Sequence, residues 1–341
     1  MNRFACDCGS PVYFENDFCI NCRSALGYDP IRADMVTLAD WGDGRYQDLL
    51  GNTFRYCANG VEHAVCNWLR PADSLSQFCQ ACQFNRTIPD QSRTENQERW
   101  LVLERAKKRL FYTLAQLNLP LLNGWADPQR GLLLDFIEDA RSSDEYPETF
   151  VSTGYLGGII TVNALEADTV ARVTAQDELG ESYRTVLGHL RHESGHYYWS
   201  LLNPSPSLLA EFRLLFGDER ADYRAALDAH YKAGSPKHWK DRFISAYASS
   251  HPSEDWAECW GHYLHIYDAL DTAWAHQLLG RQPETMSMTE RLRAWSKISL
   301  MLNELNRSVG RGDAYPFVIN EFVAEKLEFI DLAIDRLRTL H

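Results

Sequence analysis

Eight of the nine cysteines lie within the first 82 residues, and they fall into two sets of four. The first set is Cys6-x-Cys8, ten residues, then Cys19-x2-Cys22. The second is Cys57-x8-Cys66, twelve residues, then Cys79-x2-Cys82. A Cys-x2-Cys turn presents two thiolates to one zinc, and two such pairs close a tetrahedral site with Zn–S near ~2.3 Å. A four-cysteine site has no open position, so it holds a small module together and does no chemistry. Disulfides are the competing reading. The first residues, Met1 to Cys6, lack the apolar stretch of a signal peptide, which predicts a cytoplasmic setting where thiols stay reduced. Clustered cysteines then read as metal ligands, and two structural zinc ions are expected. Two half-sites depart from the usual spacing, since Cys6-x-Cys8 is one residue short and Cys57-x8-Cys66 is long. His63 is therefore an alternative ligand to Cys57 or Cys66, and cross-braced pairing stays open. Cys259 stands alone in a helical run and reads as a packed core thiol.

The cysteine-rich region is dense in Gly, Pro, Asn and Asp, with aromatic runs such as Pro11-Val12-Tyr13-Phe14-Glu15 that read as small strands and turns. The polar stretch from Asn85 to Gln97 predicts a linker, giving a zinc-ribbon module over 1–90 and a second domain over 91–341. From Glu98 the apolar residues Trp100, Leu101, Leu103, Leu110, Phe111, Leu114 and Leu117 take helical spacing. Two strand-like runs follow, over 131–137 and 157–163. Beyond about residue 175 the chain reads as helix, broken near Pro204–Pro206, Gly234–Pro236, His251-Pro252 and Gly310–Pro316. The expected fold class is α+β, a ribbon module followed by a mainly helical domain with a small sheet.

Charge narrows the partners. The 341 residues carry 34 − 47 = −13 formal charges, which disfavours nucleic acid and anionic membranes. The nearest basic stretch, Arg105-Ala106-Lys107-Lys108-Arg109, reads as the solvated face of a helix. No apolar run reaches the ~18 residues of a membrane span.

Chemistry concentrates at His192-Glu193-Ser194-Gly195-His196. Histidines at i and i+4 share one helix face, with Cβ atoms about 5–6 Å apart, suited to chelating a single zinc. Glu193 sits one residue along, where it faces a water on the metal and acts as general base. Ser194-Gly195 is expected to keep that face small and open. Catalytic zinc also needs a third protein ligand. Metzincin spacing would put glycine at 199 and histidine at 202, and Trp199 and Leu202 stand there instead. A second helix remains: Ser253-Glu254-Asp255-Trp256-Ala257-Glu258 follows Pro252, with Ser253 as a plausible N-cap. Glu254 and Glu258 share a face, so one can ligate while the other accepts from a ligand histidine's distal nitrogen. His262 and His189 are rivals for these roles, with packing as their plainer reading.

The chain resembles a bacterial family of zinc-binding metallopeptidases that carry an N-terminal zinc ribbon. The resemblance rests on Cys6-Asp7-Cys8-Gly9, Cys19-Ile20-Asn21-Cys22, Ala25-Leu26-Gly27-Tyr28-Asp29-Pro30, the stretch from His189 to Trp199, the stretch from His251 to Glu258, and Tyr315-Pro316-Phe317. Locally, Tyr247-x6-Glu254-x-Trp256-Ala257-Glu258 is similar to the metal site of lethal-factor-type gluzincins. That likeness implies Glu254 as zinc ligand, Glu258 behind a ligand histidine, and Tyr247 as oxyanion donor. The resulting expectation is a zincin-like peptidase holding one catalytic zinc on His192, His196 and Glu254. Glu193 would activate the zinc-bound water against protein or peptide substrates. The run Gly158-Ile159-Ile160-Thr161-Val162 is the candidate sheet edge for an extended substrate. Two other functions stay open: a catalytically silent zinc-ribbon adaptor, and a hydrolase of non-peptide or conjugate amide bonds. Oligomeric state has no signature in the sequence.

Overall fold

The computed structural model describes residues 1–142, 146, 150–179, 183–202 and 204–340. Short strands dominate the first 90 residues. β1 (Phe4–Ala5) and β2 (Pro11–Val12) make an antiparallel pair around the first cysteines. Gly9, at φ +82°, turns the chain there, and its N–H donates to the Cys6 carbonyl at 2.8 Å. β3 (Ala25–Asp29), β4 (Asp34–Gly42), β5 (Arg45–Gln47), β6 (Thr53–Tyr56) and β7 (Leu69–Pro71) form an antiparallel sheet in chain order. A short helix, α1 (Ala58–His63), leads from β6 toward β7. Val36, Leu38, Phe54 and Leu69 bury one face of this sheet. Phe4, Phe14, Tyr28 and Trp68 add a packed aromatic group, and metal cross-links are a usual supplement in modules this small.

A second sheet takes in part of the expected linker. β8 (Asn85–Thr87) pairs in parallel with β9 (Leu133–Ile137), and α2 (Thr94–Gln116) joins them. The sequence reads Asn85–Thr87 as linker because it is polar, but β8 lies at the sheet edge, where polar side chains meet solvent. β11 (Ile159–Asn163) lies parallel to β9, and β10 (Gly154–Leu156) pairs antiparallel with β11. The strand order β10-β11-β9-β8 corrects a second expectation. The run Gly158–Val162 lies inside the sheet, and β10 and β8 are its edges.

The apolar stripe of α2 is where periodicity puts it, with Trp100, Leu103, Leu110, Phe111 and Leu114 buried. The basic stretch is different. Lys107 and Lys108 are buried, 0% and 3% exposed, because the equally buried Glu104 pairs with both, at 2.8 and 3.7 Å. A buried ammonium persists only with such a partner.

The rest is helical: α3 (Thr169–Leu179), α4 (Val186–Leu202), α5 (Pro206–Leu215), α6 (Tyr223–Ala233), α7 (Pro252–Ala275), α8 (Met288–Ser308) and α9 (Glu321–Leu337). Each expected break separates two of these helices. Pro206 and Pro252 stand in the first turn of α5 and α7, where a missing N–H costs nothing. The N-cap of α7 is His251 rather than Ser253, its Nδ1 accepting from the Ser253 N–H at 3.1 Å. α4 and α7 cross closely at Gly195, where an added Cβ would lie 3.1 Å from the Ala257 Cα and Trp260 Cβ. Trp256 Nε1 donates to the Gly195 carbonyl at 2.9 Å, and Trp260 Nε1 to Ser194 Oγ at 3.0 Å. Ser194-Gly195 therefore faces the partner helix, which corrects its expected part in keeping the metal face open. Phe212, Phe216 and Phe329 pack with Trp199 and Trp256 beside this crossing.

Compactness divides the chain into Met1–Ala115 with Leu121–Thr174, and Gln116–Pro120 with Ala175–His341. The expected compositional boundary at residue 90 falls inside the first of these units. No helix among the described residues is long and apolar enough to cross a membrane.

Candidate metal centre

The eight clustered cysteines gather as two groups in chain order: Cys6, Cys8, Cys19 and Cys22, then Cys57, Cys66, Cys79 and Cys82. Cross-bracing is thereby ruled out. Sulfur separations are 3.5 Å for Cys6–Cys22, 3.7 Å for Cys8–Cys19, and 3.7 Å for both Cys66–Cys79 and Cys66–Cys82. Tetrahedral zinc at ~2.3 Å from each sulfur needs about 3.8 Å between them, so both groups fit zinc. His63 belongs to neither group; its ring lies against Trp100, centroids 5.2 Å apart. The groups differ in setting. Cys8 and Cys22 are exposed, whereas the second group is sealed beside Lys108, which donates to the Val65 carbonyl at 2.9 Å. Glu104 Oε2 lies 3.6 Å from Cys82 Sγ. Burial alone would lower the Lys108 pKa, but Cys66, Glu104, Cys82 and Cys79 carry it above the ordinary lysine value.

A third donor group forms where α4 meets α7. His192, Glu193 and His196 bring ligand atoms within 4.8 Å of one another. From α7, Glu254 Oε2 lies 2.9 Å from His192 Nε2, and Glu254 Oε1 lies 3.6 Å from His196 Nε2. Glu258 Oε1 lies 2.7 Å from His192 Nδ1. Both ring nitrogens of His192 thus face carboxylates. Neutral imidazole has one N–H, so the other nitrogen would turn a lone pair on an anion unless the ring is protonated or a cation lies between them. Ligands about 2.1 Å from a tetrahedral zinc stand roughly 3.4 Å apart, and the 2.9 and 3.6 Å separations bracket that distance. The donor set fits zinc.

The two carboxylates favour positive charge at this point, whether a proton on His192 or a metal ion beside it. Burial alone would lower the His192 pKa, yet hydrogen bonds to Glu254 and Glu258 carry it well above the ordinary value. Burial would raise Glu258, and His192 holds it down at about 2. Burial pushes the Glu193 carboxyl up; His192 and His196 pull it back, and Glu254 and Glu258 add to the rise. A carboxylate so poised takes up protons more readily than an exposed one.

The extent of the family likeness follows from these features. A family model described as "Putative zinc-binding metallo-peptidase" matches residues 96–333. The chain belongs to this family. A zinc-ribbon domain model matches residues 3–93, in line with the two cysteine groups. Uncharacterized proteins Mb2598c of Mycobacterium bovis and Rv2568c of Mycobacterium tuberculosis are each 39% identical to it over 350 residues, covering 99% of this chain and 96% of theirs. No solved structure matches.

In this metallopeptidase, the structure brings together His192, Glu193, His196, Glu254 and Glu258 and leaves the rivals aside. His262 is buried, its Nδ1 against the Tyr315 hydroxyl at 2.9 Å and its ring 4.3 Å from Phe317; burial lowers its pKa to about 4. It is a packing residue. His189 is not among the grouped donors. Tyr247 begins a short 3-10 turn over Tyr247–Ser249, with its ring 5.9 Å from that of His192. Cys259 is buried and lies 3.6 Å from Asp255 Oδ1, the core thiol expected. Sequence reasoning missed Tyr223, whose hydroxyl donates to Glu254 Oε1 at 2.7 Å. It stands 31 positions before Glu254, and no spacing rule links the first residue of one helix to a carboxylate so far along the chain.

Proposed function

We propose that this chain is a gluzincin-type zinc peptidase, with His192, His196 and Glu254 holding the catalytic metal and two further zinc ions in the cysteine groups. The observation that carries this reading is the division of labour around His192. One carboxylate meets the nitrogen turned toward His196, and the other meets the distal nitrogen. That is the arrangement of a ligand histidine oriented by an outer carboxylate. Bound zinc supplies Lewis acidity, polarising a carbonyl and lowering the pKa of water.

The protein's own groups then have defined tasks. Glu193, its pKa raised, takes a proton from water and returns it to the departing amine. Glu258 fixes the His192 ring. Tyr247 donates to the oxyanion of the tetrahedral intermediate. Substrates are peptides or proteins; the net charge of −13 disfavours nucleic acid. A cytoplasmic setting, where clustered cysteines stay reduced and available to zinc, belongs to the same reading. The ribbon module of residues 1–90 serves as the structural zinc domain.

The test is Glu193→Gln assayed on denatured casein and a peptide library. Zinc content should be unchanged while hydrolysis falls about 10²–10⁴-fold. Near-native turnover in that variant would remove Glu193 from the mechanism.

A further inference from the structure

α6 has no buried residue along its eleven positions, so it contributes little to the core. Its first residue nevertheless reaches the metal centre. Tyr223 is 46% exposed, and its hydroxyl donates to Glu254 Oε1 at 2.7 Å. The backbone around it is fixed on both sides. The Asp222 side chain caps α6 by accepting from the Ala225 N–H at 3.0 Å. His251 accepts from the Ser253 N–H through Nδ1, so its Nε2 carries the proton that goes to the Ala221 carbonyl, 3.1 Å away. The Tyr223 ring packs edge-on against His251, centroids 5.2 Å apart. One histidine therefore ties the start of α7, which bears Glu254 in its first turn, to the start of α6.

We infer that Tyr223 is a positioning residue for the metal, its hydroxyl locking the Glu254 carboxylate in the orientation that faces His192 and His196. This rests on the reading of Glu254 as a zinc ligand. A carboxylate one side of which is held by a fixed donor loses less freedom on binding a cation than one that swings about its side-chain torsions. A tyrosine placed for packing would be buried in the core; this one is half exposed on a helix with no buried residues, and its polar atom is spent on the carboxylate.

The experiment uses the full chain with zinc in all its sites. His192→Ala sets the zinc content without the third site, and chelator competition reads the affinity of the third ion in Tyr223→Phe and Glu254→Ala. The ring of Phe still packs on His251, so the melting temperature of Tyr223→Phe freed of the third ion should match that of the parent. Its third-site affinity should fall about 10–100-fold, the usual cost of removing a residue that orients a ligand. The absorption bands of cobalt bound at the third site should shift with it. Parent-like affinity in Tyr223→Phe, with the third ion lost in Glu254→Ala, overturns the role of Tyr223 and leaves the ligand assignment standing. Retention of the third ion by Glu254→Ala overturns the ligand assignment itself. A melting temperature that falls as far as the affinity does would assign Tyr223 to folding instead.

Discussion

Glu254 and Glu258 lie one helical turn apart on α7, and both reach His192 through different nitrogens. Their phenotypes should therefore separate. Glu254→Ala leaves two histidines and should empty the catalytic site. Glu258→Ala should keep metal at high zinc and weaken affinity or activity about 10–100-fold. Metal analysis of the two variants side by side checks this, and the reverse order would make Glu258 the ligand. Tyr247 tests a different function. Loss of an oxyanion donor costs about 10²–10³ in rate, so Tyr247→Phe should lower kcat more than it changes KM while the melting temperature holds. An unchanged kcat would strike it from the site. Tyr263 and Tyr198 are committed elsewhere, Tyr263 donating to Asp331 and Tyr198 to the Pro120 carbonyl.

Helix crossings and clasps carry the element-level consequences. The α4–α7 crossing is tight at Gly195, because the Ala257 backbone and the buried Trp260 stand 3.1 Å from where a Cβ would be and would have to give way. Gly195→Ala should spread the two helices, with overpacking costing about 1–3 kcal/mol. Because those helices carry the histidines and Glu254, catalytic zinc should weaken while the cysteine-bound zinc stays; the zinc content of the purified variant decides. A second element is the clasp between β9 and β11. Asp139 accepts from the Val151 N–H and from Asn163 Nδ2, each at 2.7 Å, and pairs with Arg141. Burial would raise its pKa, but Arg141 and those donors hold it at about 2. A folded value below the unfolded one of about 3.9 stabilises the fold above that pH and is lost as pH falls toward 2. Melting curves between pH 5 and 2 should show a shallower acid decline in Asp139→Asn than in the parent.

Over the whole molecule the zinc count is the decisive quantity. Three ions per chain are expected in protein purified without added zinc, and two in His192→Ala. An unchanged content in that variant would refute the catalytic assignment. The two cysteine groups should also respond differently to chelators. Exposed Cys8 and Cys22 leave the first group open to attack, whereas the second lies sealed beside the buried Lys108. Zinc release followed over time should be biphasic.

The sequence alone determined whatever depends on short-range geometry. Cys-x2-Cys turns and histidines at i and i+4 assemble from neighbouring residues, so the cysteine ligands and the pair His192 and His196 were legible from spacing, as were helix ends at proline. Tertiary structure decided the rest. Whether Glu254 or Glu258 faces the His196 side depends on how α7 crosses α4, a helix far away in the chain, with only the likeness to gluzincins to point the way. Tyr223, the first residue of α6, meets Glu254 where His251 ties the start of α7 to the Ala221 carbonyl. Lys107 and Lys108 look solvated by composition, but Glu104 on the same helix lets them be buried. Asn85–Thr87 looks like linker, but it becomes an edge strand because β9 lies alongside. In each case the deciding partner is absent from the local sequence pattern, and the energy of burying or pairing a polar group exceeds the local preference.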